Sequence, residues 1–385
     1  MTPVSRRAVL SMGVCLVFAG CTANSDSNYG WPMAGRGPLN RGFVRSGHVG
    51  DSLETAWSID LGPGPTTSPV VADGTVYIAD EEALRFIPAD GSDSTVITTE
   101  SSVSGTPAVL DDGLIVPGYE EAESTGTVYK IDTANEIEWE ADVLGGRPFS
   151  PTVQGTDIAI RTEAQTHLIT QRDGTVKWSV DTAEYSDVAQ HRAVDLAPVL
   201  TDDAVFVPSS DGIYCYERET GEERWHEQRG RSLASPTYAD GVIYASLVEE
   251  GIVALDADSG TQQWTVEATG CLTSPAVDDD TVYATAGFDV LAIEADSGRE
   301  QWRYDDEYGL RGDSYSDPIC VGERLITGSI GRSVTVLSTA TGEQQGTIDG
   351  DGTHHSHAVS DDVIYTTGTR TVTAIDTSSG ILERL

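Results

Sequence analysis

The chain has 385 residues, of which 62 are acidic and 23 are basic, so its formal net charge at neutral pH is −39. This charge argues against nucleic acid and anionic membrane surfaces as partners for the body of the protein. Forty glycines and 16 prolines are scattered along the chain, as expected for many short strands joined by turns, and this β pattern argues against plain disorder.

The N-terminus has the features of an export segment. Residues 5–10 (SRRAVL) resemble a twin-arginine signal, and the apolar run from Ala8 to Ala19 is too short to span a bilayer permanently. The following FAGC resembles a lipobox ending at Cys21. We therefore predict lipid modification of Cys21, although a cysteine can also follow small residues by chance.

These features divide the chain into three parts. Residues 1–20 are predicted to be a signal peptide that is removed, and residues 21–30 a polar tether. Residues 31–385 form the remaining, repetitive domain. We predict an exported protein anchored to the outer face of the cytoplasmic membrane through lipid only.

An isolated strand precedes the repeats. Leu53 to Ile59 carries Trp57, which resembles the tryptophan that ends each later repeat. Such a strand can pair into the last repeat and close a ring, leaving no open sheet edge.

The most regular repeat runs from Ser235 to Trp264 and predicts four short antiparallel strands separated by turns such as Asp240-Gly241. Equivalent units follow one another at spacings of 38 to 47 residues, the range of propeller blades. Their openings are Ser68-Pro69, Thr106-Pro107, Ser150-Pro151, Ala197-Pro198, Ser235-Pro236, Ser274-Pro275, Asp317-Pro318 and Ser356-His357.

The pattern predicts an all-β fold: an eight-bladed β-propeller of four-stranded antiparallel blades, closed by the N-terminal strand. A ring of seven blades remains an alternative, because Ile381 to Leu385 could compete for the last position. We predict that the chain is a monomer.

Two recurring features have a structural and a functional interpretation. The tryptophans of the fourth strands are predicted to pack between blades, the alternative being carbohydrate stacking. Acidic turns such as Asp256 to Gly260 favour hairpin chemistry over calcium binding, because the spacing of an EF-hand loop is absent. The tryptophans are Trp139, Trp178, Trp225, Trp264 and Trp302.

The repeat, with its Ser-Pro-x-Val opening, Val-Tyr second strand and ALDAxSG-x3-W ending, resembles the PQQ-like (quinoprotein) β-propeller repeat. The compact length and lipobox resemble its BamB-like subgroup. Scarce lysine, with only Lys130 and Lys177, and an acidic surface resemble proteins of halophilic archaea.

This resemblance implies a propeller without implying catalysis. Quinone-dependent dehydrogenases of this fold use calcium, an aspartate base and a disulfide between adjacent cysteines. This chain has no adjacent pair, and we predict no cofactor, neither PQQ nor Ca²⁺. Cys215, Cys271 and Cys320 are predicted to be small buried hydrophobes.

The scarce cations precede several inner strands, at positions that surround one mouth of a propeller channel. We hypothesise that they form a positive funnel for an anionic ligand or an acidic loop. The alternative is pairing with local acids such as Asp195 or Asp313. The candidates are Arg147, His191, Arg192, Arg229, Arg231, Arg311, His354, His355 and His357.

The three histidines 354, 355 and 357 could also bind a transition metal, although neighbouring strand residues point to opposite sides. Our main hypothesis is a non-catalytic scaffold at the cell surface that binds protein partners through one face. The alternative is a PQQ-dependent dehydrogenase, or a degenerate relative that holds a small anionic ligand in the channel.

Overall fold

The computed structural model describes residues 30–62, 67–80, 83–99, 101–122, 124–185, 195–305, 316–329, 332–350 and 355–378. These residues form 34 strands in eight sheets and contain no α-helix. Within this part of the chain, no helix is long and apolar enough to cross a membrane.

The first half of the chain forms the two N-terminal strands and blades one to three. The strands are β1 (Phe43–Val44), β2 (Glu54–Asp60), β3 (Val70–Ala72), β4 (Thr75–Ala79), β5 (Leu84–Pro88), β6 (Thr95–Ile97), β7 (Ser102–Val103), β8 (Ala108–Leu110), β9 (Gly113–Glu120), β10 (Thr125–Asp132), β11 (Ile137–Val143), β12 (Thr152–Gln154), β13 (Asp157–Arg161), β14 (Gln165–Thr170) and β15 (Val176–Asp181).

The second half forms blades four to eight. The strands are β16 (Val199–Leu200), β17 (Ala204–Ser209), β18 (Gly212–Glu217), β19 (Glu223–Glu227), β20 (Thr237–Ala239), β21 (Val242–Leu247), β22 (Gly251–Asp256), β23 (Gln262–Glu267), β24 (Ala276–Val277), β25 (Thr281–Ala286), β26 (Asp289–Glu294), β27 (Glu300–Asp305), β28 (Ile319–Val321), β29 (Arg324–Ser329), β30 (Arg332–Ser338), β31 (Gln344–Asp349), β32 (Ala358–Ser360), β33 (Val363–Thr367) and β34 (Thr371–Asp376).

The eight-bladed prediction is confirmed, and the seven-bladed alternative is wrong. Each of the first seven blades takes its four main strands from consecutive chain, whereas blade eight combines β32, β33 and β34 with β2. β2 runs antiparallel to β34, with Ser58 opposite Thr373 and Ile59 opposite Val372. The N-terminal strand therefore closes the ring, as its isolated position in the sequence predicted.

Blades four, five, six and eight share one row of facing residues: an aromatic ring, a small residue and a tryptophan. In blade five, Tyr244 lies opposite Ala254, which lies opposite Trp264. The pairing shifts by one residue directly after Ala254, a β-bulge that twists the outer strand. Blade four repeats the row with Cys215 in place of the alanine, and Cys215 is fully buried. A small apolar side chain fits here because Phe206 lies on one side of Cys215 and Trp225 on the other.

The recurring tryptophans join neighbouring blades. Trp264 Nε1 donates to the Ala295 carbonyl of the next blade at 2.7 Å. Gly298, also in the next blade, lies against the indole, so that a Cβ at this glycine would be 2.9 Å from the ring. The predicted packing role is confirmed. The same Nε1 bond to the following blade is made by Trp57, Trp139, Trp178, Trp225 and Trp302.

Blade seven departs from this rule. Gly346 stands where six of the other blades carry tryptophan, and the Leu53 side chain occupies the space that a Cβ of Gly346 would enter. Leu53 directly precedes β2, so the segment that closes the ring also covers this site.

Candidate functional site

Strand direction places the chemistry-bearing residues on one face. Because the four strands of a blade alternate, hairpins between second and third strands share a face with the connections that lead to the next inner strand. We call this the mouth face. Of the cations proposed from the sequence, the described ones lie in or beside these connections: Arg147, Arg229, Arg231, His355 and His357.

The residues that open the blades form a hydrogen-bonded circuit around the ring. In each bond, a backbone N–H of one blade donates to a side-chain oxygen of the next, over 2.8 to 3.1 Å. The bonds run from Ser68 to Thr106, Thr106 to Ser150, Ala197 to Ser235, Ser235 to Ser274, Ser274 to Asp317 and Ser356 to Ser68.

Asp195 lies at the centre of this circuit. Its carboxylate accepts hydrogen bonds from Ser68 of blade one and from Ser150 of blade three, the latter at 2.7 Å. Its backbone carbonyl accepts from Ser235 of blade five. A residue that contacts blades one, three and five must lie on the ring axis. Among the described residues, serines hold this carboxylate, and the predicted pairing of Asp195 with an arginine stays untested because Arg192 lies outside the described residues.

We call Asp195, Asp317 and the blade-opening residues that hydrogen-bond to them the throat. Asp317 supplies its second carboxylate. Its Oδ1 accepts the N–H of Ser274 and its Oδ2 accepts the Ser356 hydroxyl, each at 2.8 Å. Burial, assisted by the charge of Asp195, raises the pKa of Asp317 to about 6 although these hydrogen bonds oppose the shift. The throat is therefore an acidic, hydroxyl-lined constriction.

A segment ahead of the propeller proper fills the interior of the ring. We call residues 31–44 the strap. The free edges of inner strands point toward the ring axis, and strap carbonyls accept their N–H groups. The bonds are Val71 to Trp31, Val109 to Pro32, Leu200 to Pro38, Tyr238 to Leu39, Val277 to Arg41 and Cys320 to Gly42, at 2.7 to 3.0 Å.

The strap thus forms hydrogen bonds with blades one, two, four, five, six and seven in order. Asn40 is buried and fixes its middle, since Nδ2 donates to the Pro236 carbonyl at 2.9 Å and the Asn40 carbonyl accepts from Thr237. At its end, β1 pairs in parallel with β28. The inner edges are consequently satisfied by protein rather than left open in a channel.

A cavity of about 680 Å³ opens between blades four and five on the mouth face. The Arg231 backbone N–H donates to Glu249 Oε2 at 2.9 Å, whereas its buried Nε has no partner. The lining residues are Ser210, Asp211, Gln228, Gly230, Arg231 and Glu249.

The other described candidates lie apart from this cavity or face different partners. The Arg147 guanidinium lies 5.2 Å from the centre of the Tyr119 ring. Arg229 is exposed and pairs with Glu227 at 2.6 Å. The positive funnel stays a prediction, because its remaining arginines, Arg192 and Arg311, lie outside the described residues.

Of the four candidate histidines, two are described by the structure and two are not. His357 is buried, and its Nε2 lies 3.0 Å from Ser316 Oγ. Burial lowers the pKa of His357 to about 4, so the imidazole is neutral at physiological pH. His355 is partly buried. His191, His354 and the predicted lipidation residue Cys21 lie outside the part of the chain that the structure describes.

The described part of the chain offers neither a cluster of metal ligands nor an exposed thiol. The described residues contain no group of three or more His, Cys, Asp or Glu arranged to hold a metal ion. Cys215, Cys271 and Cys320 are free and fully buried, as predicted. Burial raises the pKa of Cys215 and of Cys271 to about 12, which keeps both thiols protonated and unreactive.

The throat was missed by sequence reasoning, although a signal for it exists. Ser or Thr opens most blades, but Ala197 opens blade four and Asp317 opens blade seven. Asp195, two residues before the alanine, supplies the polar group that Ala197 lacks. The two blades whose opening residue is neither serine nor threonine are therefore the ones that supply the two carboxylates of the throat.

Comparisons with known proteins agree with this architecture. A family model described as outer membrane protein assembly factor BamB matches residues 51–212 and 190–382. No curated protein sequence matches the chain.

Solved structures show the same fold at low identity. BamB from Moraxella catarrhalis is 16% identical with a TM-score of 0.67, covering 84% of this chain and 100% of that one. Quinohemoprotein alcohol dehydrogenase from Comamonas testosteroni is 13% identical with a TM-score of 0.71, covering 92% and 82%. The computationally designed Ika8 protein is 12% identical with a TM-score of 0.65, covering 87% and 98%.

These neighbours include an assembly factor, an enzyme and a designed protein, so they establish the fold and leave the activity open. On the extent of the family match and the eight-bladed ring, the chain belongs to the PQQ-like β-propeller family, with the BamB-type repeat.

Proposed function

We propose that this protein is an exported, lipid-anchored and non-catalytic scaffold that binds protein partners through its mouth face. The observation that carries the proposal is the filled interior of the ring. The strap satisfies the inner edges of six blades, and Asp195 ties three blades together across the axis. With its interior occupied by its own chain, the ring offers its faces for binding.

The competing dehydrogenase hypothesis has its own test. Enzymes of that class use a disulfide between adjacent cysteines beside the cofactor, whereas this sequence has no adjacent cysteine pair. Cys215, Cys271 and Cys320 are free. Reconstitution with PQQ and Ca²⁺ followed by an alcohol oxidation assay tests this point, and sustained turnover would overturn the scaffold proposal.

The mouth face carries apolar side chains that a carboxylate-covered protein has no need to expose. Leu144 follows β11 and is 69% exposed, and Phe288 lies in the hairpin between β25 and β26 and is 44% exposed. Large exposed apolar groups among polar ones are typical of protein contacts. The cavity beside Arg231 adds a recess on the same face.

The test is cross-linking capture from native membranes at high salt. We expect Leu144→Asp combined with Phe288→Asp to reduce the yield of specific partners at least several-fold. The matched control is Ile137→Asp combined with Val176→Asp, since both residues are exposed on outer strands away from the mouth face. Equal capture by all three proteins would contradict the assignment of the binding face.

The proposed anchor and the cation funnel have separate tests. Cys21→Ala should release the protein from membranes into the medium, and continued membrane retention would count against lipidation. Arg231→Ala should weaken capture, whereas the exposed Arg172, on the opposite face, can be changed to alanine as a control. We also propose that the scaffold is a monomer, which sedimentation analysis of the full chain would establish.

A further inference from the structure

Arg161 is the last residue of β13 and has no exposed surface. Its Nη2 donates to the Ala183 carbonyl at 2.6 Å, with the Glu163 carbonyl at 3.4 Å. The guanidinium lies 4.8 Å from the centre of the Tyr185 ring. Nε and Nη1 are both buried and have no hydrogen-bond acceptor. Two N–H groups of the Arg161 guanidinium are therefore removed from water, and no hydrogen bond within the protein replaces those they made to water.

Other buried cations of the chain are neutralised by carboxylates. Arg218 contacts Asp157 at 2.9 Å, and Lys130 contacts Asp112 at 2.6 Å. Arg161 makes no ion pair within the described residues, in a chain where acids outnumber bases 62 to 23. Burying an unpaired charge costs several kcal/mol. Of these three buried cations, Arg161 is thus the one without a carboxylate partner.

The surroundings of Arg161 do not supply that charge. Tyr185 donates its hydroxyl proton to the Ser232 carbonyl at 2.6 Å and belongs to an apolar cluster with Phe149, Leu196 and Leu233. Burial lowers the pKa of Arg161, and Tyr185, Tyr216 and Tyr214 oppose that shift. Tyrosine is neutral at physiological pH, and burial raises the pKa of Tyr185 further. Among the described residues, the surroundings of Arg161 thus offer aromatic rings and carbonyls but no anion.

We propose that the open Nε and Nη1 donors of Arg161 bind one small inorganic anion of the halide class, chloride in a saline medium. Because Arg161 has no exposed surface, its guanidinium cannot pair with a carboxylate on the surface of a partner protein. A monatomic anion needs only about the room of one water molecule. It also neutralises the guanidinium, which a water molecule cannot do.

The location gives the anion a structural role beyond the partner-binding function. Arg161 holds Ala183 of the connection that leaves blade three, and Tyr185 of the same connection reaches Ser232 at the entry to blade five. Neutralising Arg161 therefore stabilises the contact between blades three and five, which are not neighbours, on the mouth face.

The decisive experiment is diffraction from crystals of the full mature chain grown in sodium bromide. We expect an anomalous bromide peak in hydrogen-bonding contact with Arg161 Nε or Nη1. Absence of a peak there, in crystals that show bromide elsewhere on the molecule, overturns the proposal.

Thermal unfolding supplies a second readout in solution. At constant ionic strength, we replace sodium methanesulfonate by sodium chloride and expect the Tm of the wild-type protein to rise and saturate as for one site. Arg161→Met should remove this response. Arg218→Met is the matched control, because Arg218 is also a buried arginine but is paired with Asp157. An unchanged chloride response in Arg161→Met contradicts the site.

Discussion

Asp317 occupies a position that other blades fill with serine, threonine or alanine, and its environment changes its chemistry. The carboxylate is enclosed beside Asp195, so the folded protein holds its proton more tightly than the unfolded chain does. A carboxyl pKa raised in the folded state contributes stability at low pH and loses it as pH rises. The relevant window runs from about 3.8 to about 6.

We expect Asp317→Asn to raise the free energy of unfolding at pH 7 by up to about 3 kcal/mol, which corresponds to that pKa difference. Near pH 4 the change should be small, because asparagine resembles the protonated acid: its Oδ1 accepts the Ser274 N–H and its Nδ2 donates to the Ser356 oxygen. Denaturant unfolding at fixed high salt across this pH range measures the effect. The same pH dependence in both proteins would contradict a raised Asp317 pKa.

At the scale of the element, the blades are joined by an indole packed on a glycine turn. Gly298 has a φ of 71°, and the Cβ of an alanine there would meet Trp264 at 2.9 Å. Gly241 has a φ of 82°, and the Cβ of an alanine there would have no atom within 4 Å, so this position isolates backbone strain from steric contact.

We expect Gly241→Ala to cost about 1 kcal/mol of unfolding free energy, from strain alone. Gly298→Ala should cost about 2 to 4 kcal/mol, because overpacking adds to the strain. Chemical denaturation of both variants gives the difference. Equal losses would show that the Trp264 indole moves away at no cost in free energy, so that its contact with Gly298 does not hold the two blades tightly together.

The strap is a second element whose contribution can be measured. Asn40→Asp preserves shape and the positive φ of 53° but removes the donor to the Pro236 carbonyl. We expect a loss of about 2 to 3 kcal/mol, since a buried carbonyl then faces a carboxylate. Asn135→Asp adds the same charge in a turn with a φ of 66° and should change stability little. Comparable losses would argue against a structural role for the strap.

The whole molecule is governed by its charge of −39. Between 0.1 M and 1 M salt, the screening distance falls from about 10 Å to about 3 Å, which weakens repulsion among surface carboxylates. We expect the Tm to rise over this range in sodium methanesulfonate, where the proposed chloride site does not contribute. Replacing the exposed Glu219 and Glu222 by glutamine should reduce the dependence, and a flat or falling Tm would contradict it.

The sequence by itself determined the fold. Alternating strands, Asp-Gly turns and a recurring tryptophan are local features that repeat around the ring, and Trp57 ahead of the first repeat was enough to predict ring closure. The turn at Asp256 shows why: Ser259 N–H bonds to the Asp256 carboxylate, a contact between residues only three positions apart.

Only the tertiary structure decided the throat, the strap and the isolated charge of Arg161. Asp195 and Ser68 are 127 residues apart, and Asn40 and Pro236 are 196 apart. Such pairs meet because closing the ring brings the inner edges of all blades to one axis, a consequence that no local pattern expresses. Likewise, Arg161 is an ordinary strand-end arginine in the sequence, and its lack of a counter-charge appears only once its surroundings are folded.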